Sequence, residues 1–200
     1  MEIFRAKEIM KNNFIGQDEL NKIGDVLNMN IPKVVPEIPF SEEDLLSKSD
    51  THVLILCVNK FTDETPVNII NIKKRVEKVA SPKFYNQDWY LKEKFIEKSL
   101  TIKWKLVRKE LVDESRGLNP DGIRQNYNLH SAVELVYVFF VNYLVNNGEK
   151  LWNNDYVWCS DFDDKGDQIY VGRYTDASGL NADGFEIHRH LRIKENYGAI

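Results

Sequence analysis

Residues 185–194, near the carboxyl end, alternate almost perfectly between apolar and polar side chains with a period of two. Successive side chains of a β-strand point to opposite faces, so this period predicts a strand with one face in the core and the other face open to water or a ligand. Phe185 and Ile187 begin the apolar face. The polar face carries Glu186, His188, His190, Arg192 and Lys194. The fold must therefore provide a sheet that buries only one side of this segment.

Two apolar segments predict where the core lies. Residues 52–58 are apolar without a break after His52 and rich in β-branched side chains, which predicts a central strand covered on both faces. Residues 128–147 are apolar on most of a helical circumference, which predicts the principal core helix. Gly148 stands where a left-handed helix cap is expected.

The remaining pattern predicts an α+β fold in a single domain, residues 1–200. Shorter helices are predicted at 17–27, after Ser41, at 67–79 and at 89–100, and further strands at 102–109, 155–162 and 168–175. Residues 1–50 are expected to be helical, with an extended proline-rich connector at 31–40, and residues 113–128 to form a polar turn segment. Residues 51–200 are expected to form the α+β core, in which one long helix packs on a mixed sheet that ends in a three-stranded antiparallel meander.

Composition and cysteine usage predict the compartment. Hydrophobic residues make up 42% of the 200-residue chain, which is enough for a core that needs no disulfide. Cys57 and Cys159 lie in apolar, strand-like segments, and the amino-terminal residues do not resemble a signal peptide. No apolar run approaches the roughly 20 residues that span a bilayer. We therefore expect a soluble cytoplasmic protein with reduced, buried thiols and no membrane partner.

Charge is distributed unevenly along the chain. Residues 73–109 contain twelve lysines and arginines against four acidic residues, whereas residues 149–186 contain three against nine. The basic segment predicts a surface that binds nucleic acid or a protein partner. The candidate binding residues are Lys92, Lys94, Lys98, Lys103, Lys105 and Lys109. Two alternatives stay open: lysines on an outer strand discourage pairing with other strands, and the basic segment docks on the acidic carboxyl third of the same chain.

The polar face of the last predicted strand is a candidate enzyme site. His188 and His190 form a His-x-His pair that can give two nitrogens to one divalent metal, with Glu186 as a third ligand or a general base. Zinc or manganese would suit this set in a metal-dependent hydrolase. The alternative is the solvated face of an outer strand. The aspartate-rich segments 161–166 and 179–184 depart from the calcium-loop pattern, so ordinary turns are expected there.

Cys159 is the candidate catalytic nucleophile, because it lies on a strand of the same predicted meander as the histidine-bearing strand. A cysteine hydrolase needs a thiolate activated by a base, and the alternative is a thiol packed as a small apolar group. The chain lacks the motifs of serine hydrolases, phosphate loops and dinucleotide sites. The sequence thus favours a binding protein that acts through residues 73–109, with a metal-dependent enzyme as the second hypothesis. Whether the protein is an enzyme is left open.

Overall fold

The computed structural model describes residues 1–174, 184–189 and 194–200. The helices are α1 (Ile3–Met10), α2 (Gln17–Asn21), α3 (Glu42–Lys48), α4 (Ile69–Val76), α5 (Pro120–Asn126) and α6 (Ala132–Val145). The strands are β1 (Phe14–Ile15), β2 (His52–Cys57), β3 (Lys103–Arg108), β4 (Tyr156–Phe162), β5 (Gln168–Gly172), β6 (Glu186–Arg189) and β7 (Tyr197–Gly198). Short 3₁₀ turns occupy Lys11–Asn13, Trp89–Lys92, Lys94–Glu97 and Asp113–Ser115. The predicted α+β class is confirmed.

The first sheet is built around β2. This strand pairs in parallel with β1, where Phe14 lies opposite Leu54, and antiparallel with β3, where Val53 lies opposite Val107. Every side chain of β2 after His52 is buried. The prediction of a central strand covered on both faces is therefore confirmed.

The second sheet contains the predicted meander. Its strand order is β6-β5-β4-β7, and β4, β5 and β6 follow one another in antiparallel pairing. The two-residue strand β7 pairs in parallel with β4, and it was not predicted because so short a segment carries no periodicity. On β6, Ile187 is fully buried while Glu186 and His188 are only partly buried. This alternation agrees with the predicted faces over the described part of the segment.

Helix α6 is the core of the molecule. Its residues from Ala132 to Asn142 are all buried. It contacts β2 in the first sheet and both β4 and β5 in the second. A helix that is apolar on all sides must be covered on all sides, and here two sheets provide the cover. The predicted core helix is confirmed, although it begins at Ala132 rather than at residue 128.

Both ends of α6 follow capping rules. At the start, the Ser131 hydroxyl accepts from the Glu134 N–H (3.4 Å), and the Glu134 carboxylate accepts from the Ser131 N–H (2.9 Å). This reciprocal pair satisfies donors that a helix leaves free in its first turn. At the end, Gly148 has φ +90° and donates its N–H to the Tyr143 carbonyl (2.8 Å). The left-handed end that the sequence predicts is therefore confirmed.

Residues 89–100 do not form the predicted helix. Two 3₁₀ turns replace it, with Glu93 extended between them (φ −90°, ψ 145°). The Glu93 carboxylate accepts from the Asp164 N–H (2.8 Å) and lies 3.4 Å from Arg189 Nη1. These tertiary contacts draw the segment toward the second sheet. They outweigh its local helical propensity, which is worth only a few tenths of a kcal/mol per residue.

The polar segment 113–128 contains a helix, α5, that was predicted as a turn. The Asn119 side chain accepts from the Gly122 N–H (2.8 Å), and Pro120 occupies the first helical position. Asparagine as N-cap and proline at the first position both favour a helix start, so the turn signal was misread. Helix α1 lies in the amino-terminal segment expected to be helical, although its bounds were not predicted, and α2 ends at Asn21, six residues before the predicted end. Among the described residues, no helix is long and apolar enough to cross a membrane.

Replacement of Phe139 by alanine should strongly destabilise the fold. Phe139 is fully buried on α6, and its ring stacks on Tyr174 (centroids 5.6 Å apart). Because the cavity would form between packed elements, we expect a loss of about 3–5 kcal/mol in the free energy of unfolding, measured with urea. The control is Phe4→Ala on α1, where the side chain is 74% exposed and the expected change is within about 0.5 kcal/mol. Equal losses for the two variants would contradict this placement.

Candidate functional site

Five of the six predicted binding lysines pair with carboxylates from the chain's own carboxyl half. Lys94 lies 3.6 Å from Asp164, Lys103 and Lys105 lie 2.7 and 3.0 Å from Glu134, Lys109 lies 2.8 Å from Glu149, and Lys98 pairs with Asp161. For Lys92, the described ranges place no carboxylate within ion-pair distance. The arrangement favours the alternative in which the basic segment docks on acidic residues of the same chain.

Glu134 and Asp161 form a buried acidic centre at the start of α6. The Glu134 side chain is 8% exposed and lies between Lys103 and Lys105. Asp161, which is 1% exposed, accepts from the Ala132 N–H (2.6 Å) and from the Lys98 ammonium. Carboxylates at a helix start satisfy its free N–H groups and its partial positive charge. The lysines on β3 therefore have a structural role, which is to neutralise the buried Glu134 carboxylate.

Burial and neighbouring charges at the start of α6 shift the pKa values of Glu134 and His130. Burial alone would raise the pKa of Glu134, but hydrogen bonds from Lys103, the Ser131 N–H and Lys105 outweigh it and hold the pKa at about 2. Burial, followed by the charge of Lys105, lowers the pKa of His130 to about 4. His130 is thus neutral near pH 7, and its 3.8 Å approach to Glu134 is not an ion pair there.

Tyr156, Gly172 and Glu186 lie side by side across β4, β5 and β6. Because Gly172 has no side chain, the Tyr156 hydroxyl reaches over it and donates to the Glu186 carboxylate. Gly172 has φ +137°, and a Cβ there would lie 2.4 Å from the Asp155 carbonyl oxygen. Burial, followed by this hydrogen bond, raises the pKa of Tyr156, so its hydroxyl keeps the proton that it donates.

Tyr170 on β5 and His188 on β6 lie opposite each other, two residues along the strands from the pair of Gly172 and Glu186. The two rings stack with centroids 5.8 Å apart. His188 Nε2 lies 2.8 Å from Gln87 Nε2 and 3.7 Å from Glu186 Oε2. The imidazole is 37% exposed, whereas the Glu186 side chain is 12% exposed. The structure thus brings together two of the three predicted metal ligands, and the third, His190, lies outside the described residues.

The Glu186 and His188 pair is suited to proton transfer or to metal binding. A carboxylate beside an imidazole orients the ring and stabilises its charged form, as a general base requires. Within the described ranges, no group of three or more His, Cys, Asp or Glu side chains is placed to hold a metal ion. A metal at this site would therefore need a ligand beyond these two.

Cys159 lies on β4 with its side chain fully buried. Burial raises the pKa of its thiol well above the ordinary value, and it raises the pKa of Cys57 to about 12. Because only the thiolate is nucleophilic, a buried neutral thiol is poorly suited to attack a substrate. The geometry favours the alternative of a packed apolar group, and we assign Cys159 no part in the proposed function.

The aspartates of the β4–β5 turn use their oxygens within the fold. Asp163 accepts from the Lys165 and Asp167 N–H groups (2.9 and 2.8 Å) and lies 2.7 Å from Arg189 Nη1. Burial opposes ionisation of Asp163, but these hydrogen bonds outweigh it and lower its pKa. The contacts favour an ordinary turn at 161–166. Most of the other aspartate-rich segment, residues 179–183, lies outside the described residues.

A groove that the sequence reasoning missed lies between residues 24–28, residues 62–65 and residues 71–79. Its volume is about 860 Å³, within the usual range for small-molecule sites. Lys74 and Lys78 are exposed along one wall, four residues apart. Among the described residues, neither has a carboxylate within ion-pair distance. In the sequence, only the four-residue spacing of Lys74 and Lys78 within the basic segment indicated this groove. Its opposing walls come from distant parts of the chain, so the groove itself was not predicted.

Arg75 gives the groove a rigid wall. Its guanidinium lies 3.5 Å from the centre of the Phe61 ring. It also donates to the Asp63 carboxylate (2.7 Å), the Thr65 hydroxyl (3.1 Å) and the Asn71 carbonyl (3.1 Å). An arginine with this many partners is held in place and has its charge balanced by Asp63. The positive charge with which the groove can bind a ligand therefore comes from Lys74 and Lys78.

Comparisons with known proteins provide no relative for this chain. No family model, no curated protein and no solved structure matches it.

The buried acidic centre should make stability fall in acid. The folded pKa of Glu134 lies below the ordinary 4.5, so its contribution is complete above pH 4.5 and is lost as the pH falls toward 2. The folded pKa of His130 lies below 6.5, so the unfolded chain takes up that proton first, and stability is lost as the pH falls from 6.5 to 4. Each shift corresponds to roughly 3 kcal/mol, measurable by urea unfolding at a series of pH values.

The matched variants are Glu134→Gln and Glu43→Gln. Glu134→Gln leaves two lysines without their carboxylate, so we expect a loss of about 3 kcal/mol at pH 7 and a flatter dependence between pH 4.5 and 2. Glu43 is exposed on α3, and its replacement should leave the profile unchanged. An unaltered acid profile in Glu134→Gln would contradict the role given to this carboxylate.

Proposed function

We propose that the protein binds a small anionic ligand, carrying phosphate or carboxylate groups, in the groove beside α4. The observation that carries this proposal is the pair of exposed lysines, Lys74 and Lys78, which have no ion-pair partner among the described residues. Phosphates and carboxylates are the groups that ammonium side chains bind. The wall that carries the two lysines belongs to the basic segment, residues 73–109, that first indicated an anionic partner.

Charge favours a small ligand over a nucleic acid. A nucleic-acid backbone is bound by many cations along its length. Lys98, Lys103, Lys105 and Lys109 are engaged by acidic groups of the chain itself. The groove has two acidic side chains, Asp25 and Asp63, against three basic ones. Its modest positive excess supports recognition of one or two anionic groups.

Replacement of Lys74 and Lys78 by glutamine should abolish this binding. Pyrophosphate, citrate and a single-stranded oligonucleotide are titrated at low ionic strength, where the attraction is greatest, and binding is followed by calorimetry and backbone amide shifts. We expect pyrophosphate or citrate to shift amides at 24–28 and 71–79. We also expect the double variant to bind at least about tenfold more weakly, which corresponds to about 1.4 kcal/mol.

The matched control is the double variant Lys92→Gln, Lys94→Gln. It removes the same charge from exposed positions outside the groove, so it should retain binding. Equal weakening by both double variants would show a general charge effect and would refute the groove as a site. Preferential binding of the oligonucleotide, sensitive to Lys92 and Lys94, would instead support the nucleic-acid hypothesis.

A second candidate function, metal-dependent hydrolysis, is favoured by one observation. Glu186 Oε2 and His188 Nε2 lie 3.7 Å apart, so both could bind one ion at about 2.1 Å each once the Gln87 amide, 2.8 Å from His188 Nε2, moves aside. His190 is the predicted third ligand. Zinc or manganese would polarise a substrate carbonyl or lower the pKa of a bound water, and Glu186 would bind the metal or take a proton.

Thermal unfolding with added zinc or manganese tests this second candidate. At a metal concentration about 100 times Kd, binding to the folded state should add about 2.7 kcal/mol and raise the Tm. The double variant His188→Ala, His190→Ala should lose this gain, whereas His52→Ala on β2 should keep it. A wild-type protein that contains no metal and gains no stability from either ion would eliminate the metal site.

A further inference from the structure

The outer edge of β3 presents backbone groups that the first sheet does not use. The Lys109 N–H donates to the Thr51 carbonyl (2.9 Å), and these two residues lie directly opposite each other when the register of His52 with Arg108 is extended by one. In an antiparallel pair, hydrogen-bonded and non-hydrogen-bonded pairs alternate. The bonds to β2 therefore come from residues 103, 105 and 107, and the backbone groups of 104, 106 and 108 point outward.

Two independent contacts agree with this alternation, in which backbone groups of β3 point in turn toward β2 and outward. The Arg108 carbonyl accepts from Trp152 Nε1 (3.1 Å), so it points away from β2. The Leu56 carbonyl, opposite Trp104, accepts from the Tyr137 hydroxyl and so points away from β3. In the part of the chain that the structure describes, the N–H and C=O groups of Trp104 and Leu106 have no hydrogen-bond partner. These four groups are the ones that another strand uses when it joins a sheet.

The side chains along this edge carry an excess of positive charge. β3 contains Lys103, Lys105 and Arg108 and has no acidic residue. Both lysines share the single carboxylate of Glu134, which leaves one of their charges unbalanced. Arg108 has no ion-pair partner within the described ranges, and its Nε is buried without a hydrogen-bond acceptor. An incoming strand would meet cations on both of its faces.

We propose that the open edge of β3 receives an extended acidic segment of a partner polypeptide, which adds a strand to the first sheet. Main-chain hydrogen bonds to Trp104 and Leu106 would hold the segment, and acidic side chains would compensate the excess charge. A second copy of this chain is a poor occupant, because a two-fold pair of β3 edges would place cations opposite cations. The surface is separate from the groove beside α4, so neither proposal depends on the other.

Hydrogen exchange in the free protein tests the open edge first. We expect the amides of Trp104 and Leu106 to exchange at least about tenfold faster than those of Lys105 and Val107, which donate to β2. All four amides belong to one strand, so the comparison does not depend on global stability. Equal protection of the four amides would show that the edge is already occupied and would overturn the proposal.

Peptide binding tests the occupant. The probe is a labelled peptide of about eight residues that alternates valine with glutamate, and the control peptide alternates valine with lysine. We expect the acidic peptide to bind, with slower exchange at Trp104 and Leu106, and the basic peptide not to bind. Absence of binding by the acidic peptide, or equal binding of both peptides, would overturn the proposed partner chemistry.

Two variants at one position separate the backbone contact from the side chain. Leu106→Pro removes an outward N–H that β2 does not use, and proline is accepted in edge strands. We expect it to weaken acidic-peptide binding at least about tenfold, whereas Leu106→Ala, which keeps the N–H, should change binding less than about threefold. Unchanged binding in a folded Leu106→Pro would refute strand addition. If that variant does not fold, the wild-type chain decides the proposal: acidic-peptide binding that leaves the exchange of the Trp104 and Leu106 amides unchanged would refute strand addition.

Discussion

The structure depends on burying α6 while its first turn keeps its polar groups satisfied. Glu134 accepts from the N–H of the N-cap residue Ser131, and Asp161 accepts from the N–H of Ala132, the first residue of the helix. Both carboxylates also bind lysines from the segment between residues 98 and 105. One small centre thus joins β3 of the first sheet, β4 of the second and the helix between them. A buried carboxylate is costly unless it is paired and hydrogen-bonded, so Lys98, Lys103 and Lys105 stabilise the core next to which they lie.

The predictable part of the fold was the part with a repeating pattern. The strand at β2, the helix α6 with Gly148 at its end, and the meander β4-β5-β6 all followed from apolar spacing. The faces of β6 followed from alternation alone, which placed Glu186 and His188 together. Segment 89–100 was mispredicted because the contacts of Glu93 come from residues far away in sequence. Helix α5 was missed because Asn119 and Pro120 serve equally well in a turn and at a helix start.

The candidate sites were harder to predict, because charge in a sequence does not tell whether a side chain is already paired. Lys103 and Lys105 suggested a binding row, but a single residue on α6, Glu134, engages both. Lys74 and Lys78 looked no different in the sequence, yet they line a groove whose opposite walls lie about 10–50 residues away. The backbone groups left open on β3 depend on which alternate residues of the strand bond to β2. Side-chain periodicity does not indicate which residues these are.

Gly172 has a consequence for how the second sheet assembles. It is the gap in β5 through which Tyr156 on β4 touches Glu186 on β6, two strands away. If either neighbour slipped by one residue, it would place a different side chain beside Gly172 and would turn the side chains that now face away from α6 toward the helix. The Tyr156–Glu186 contact across this glycine therefore adds to the burial pattern that selects the observed register of the three strands.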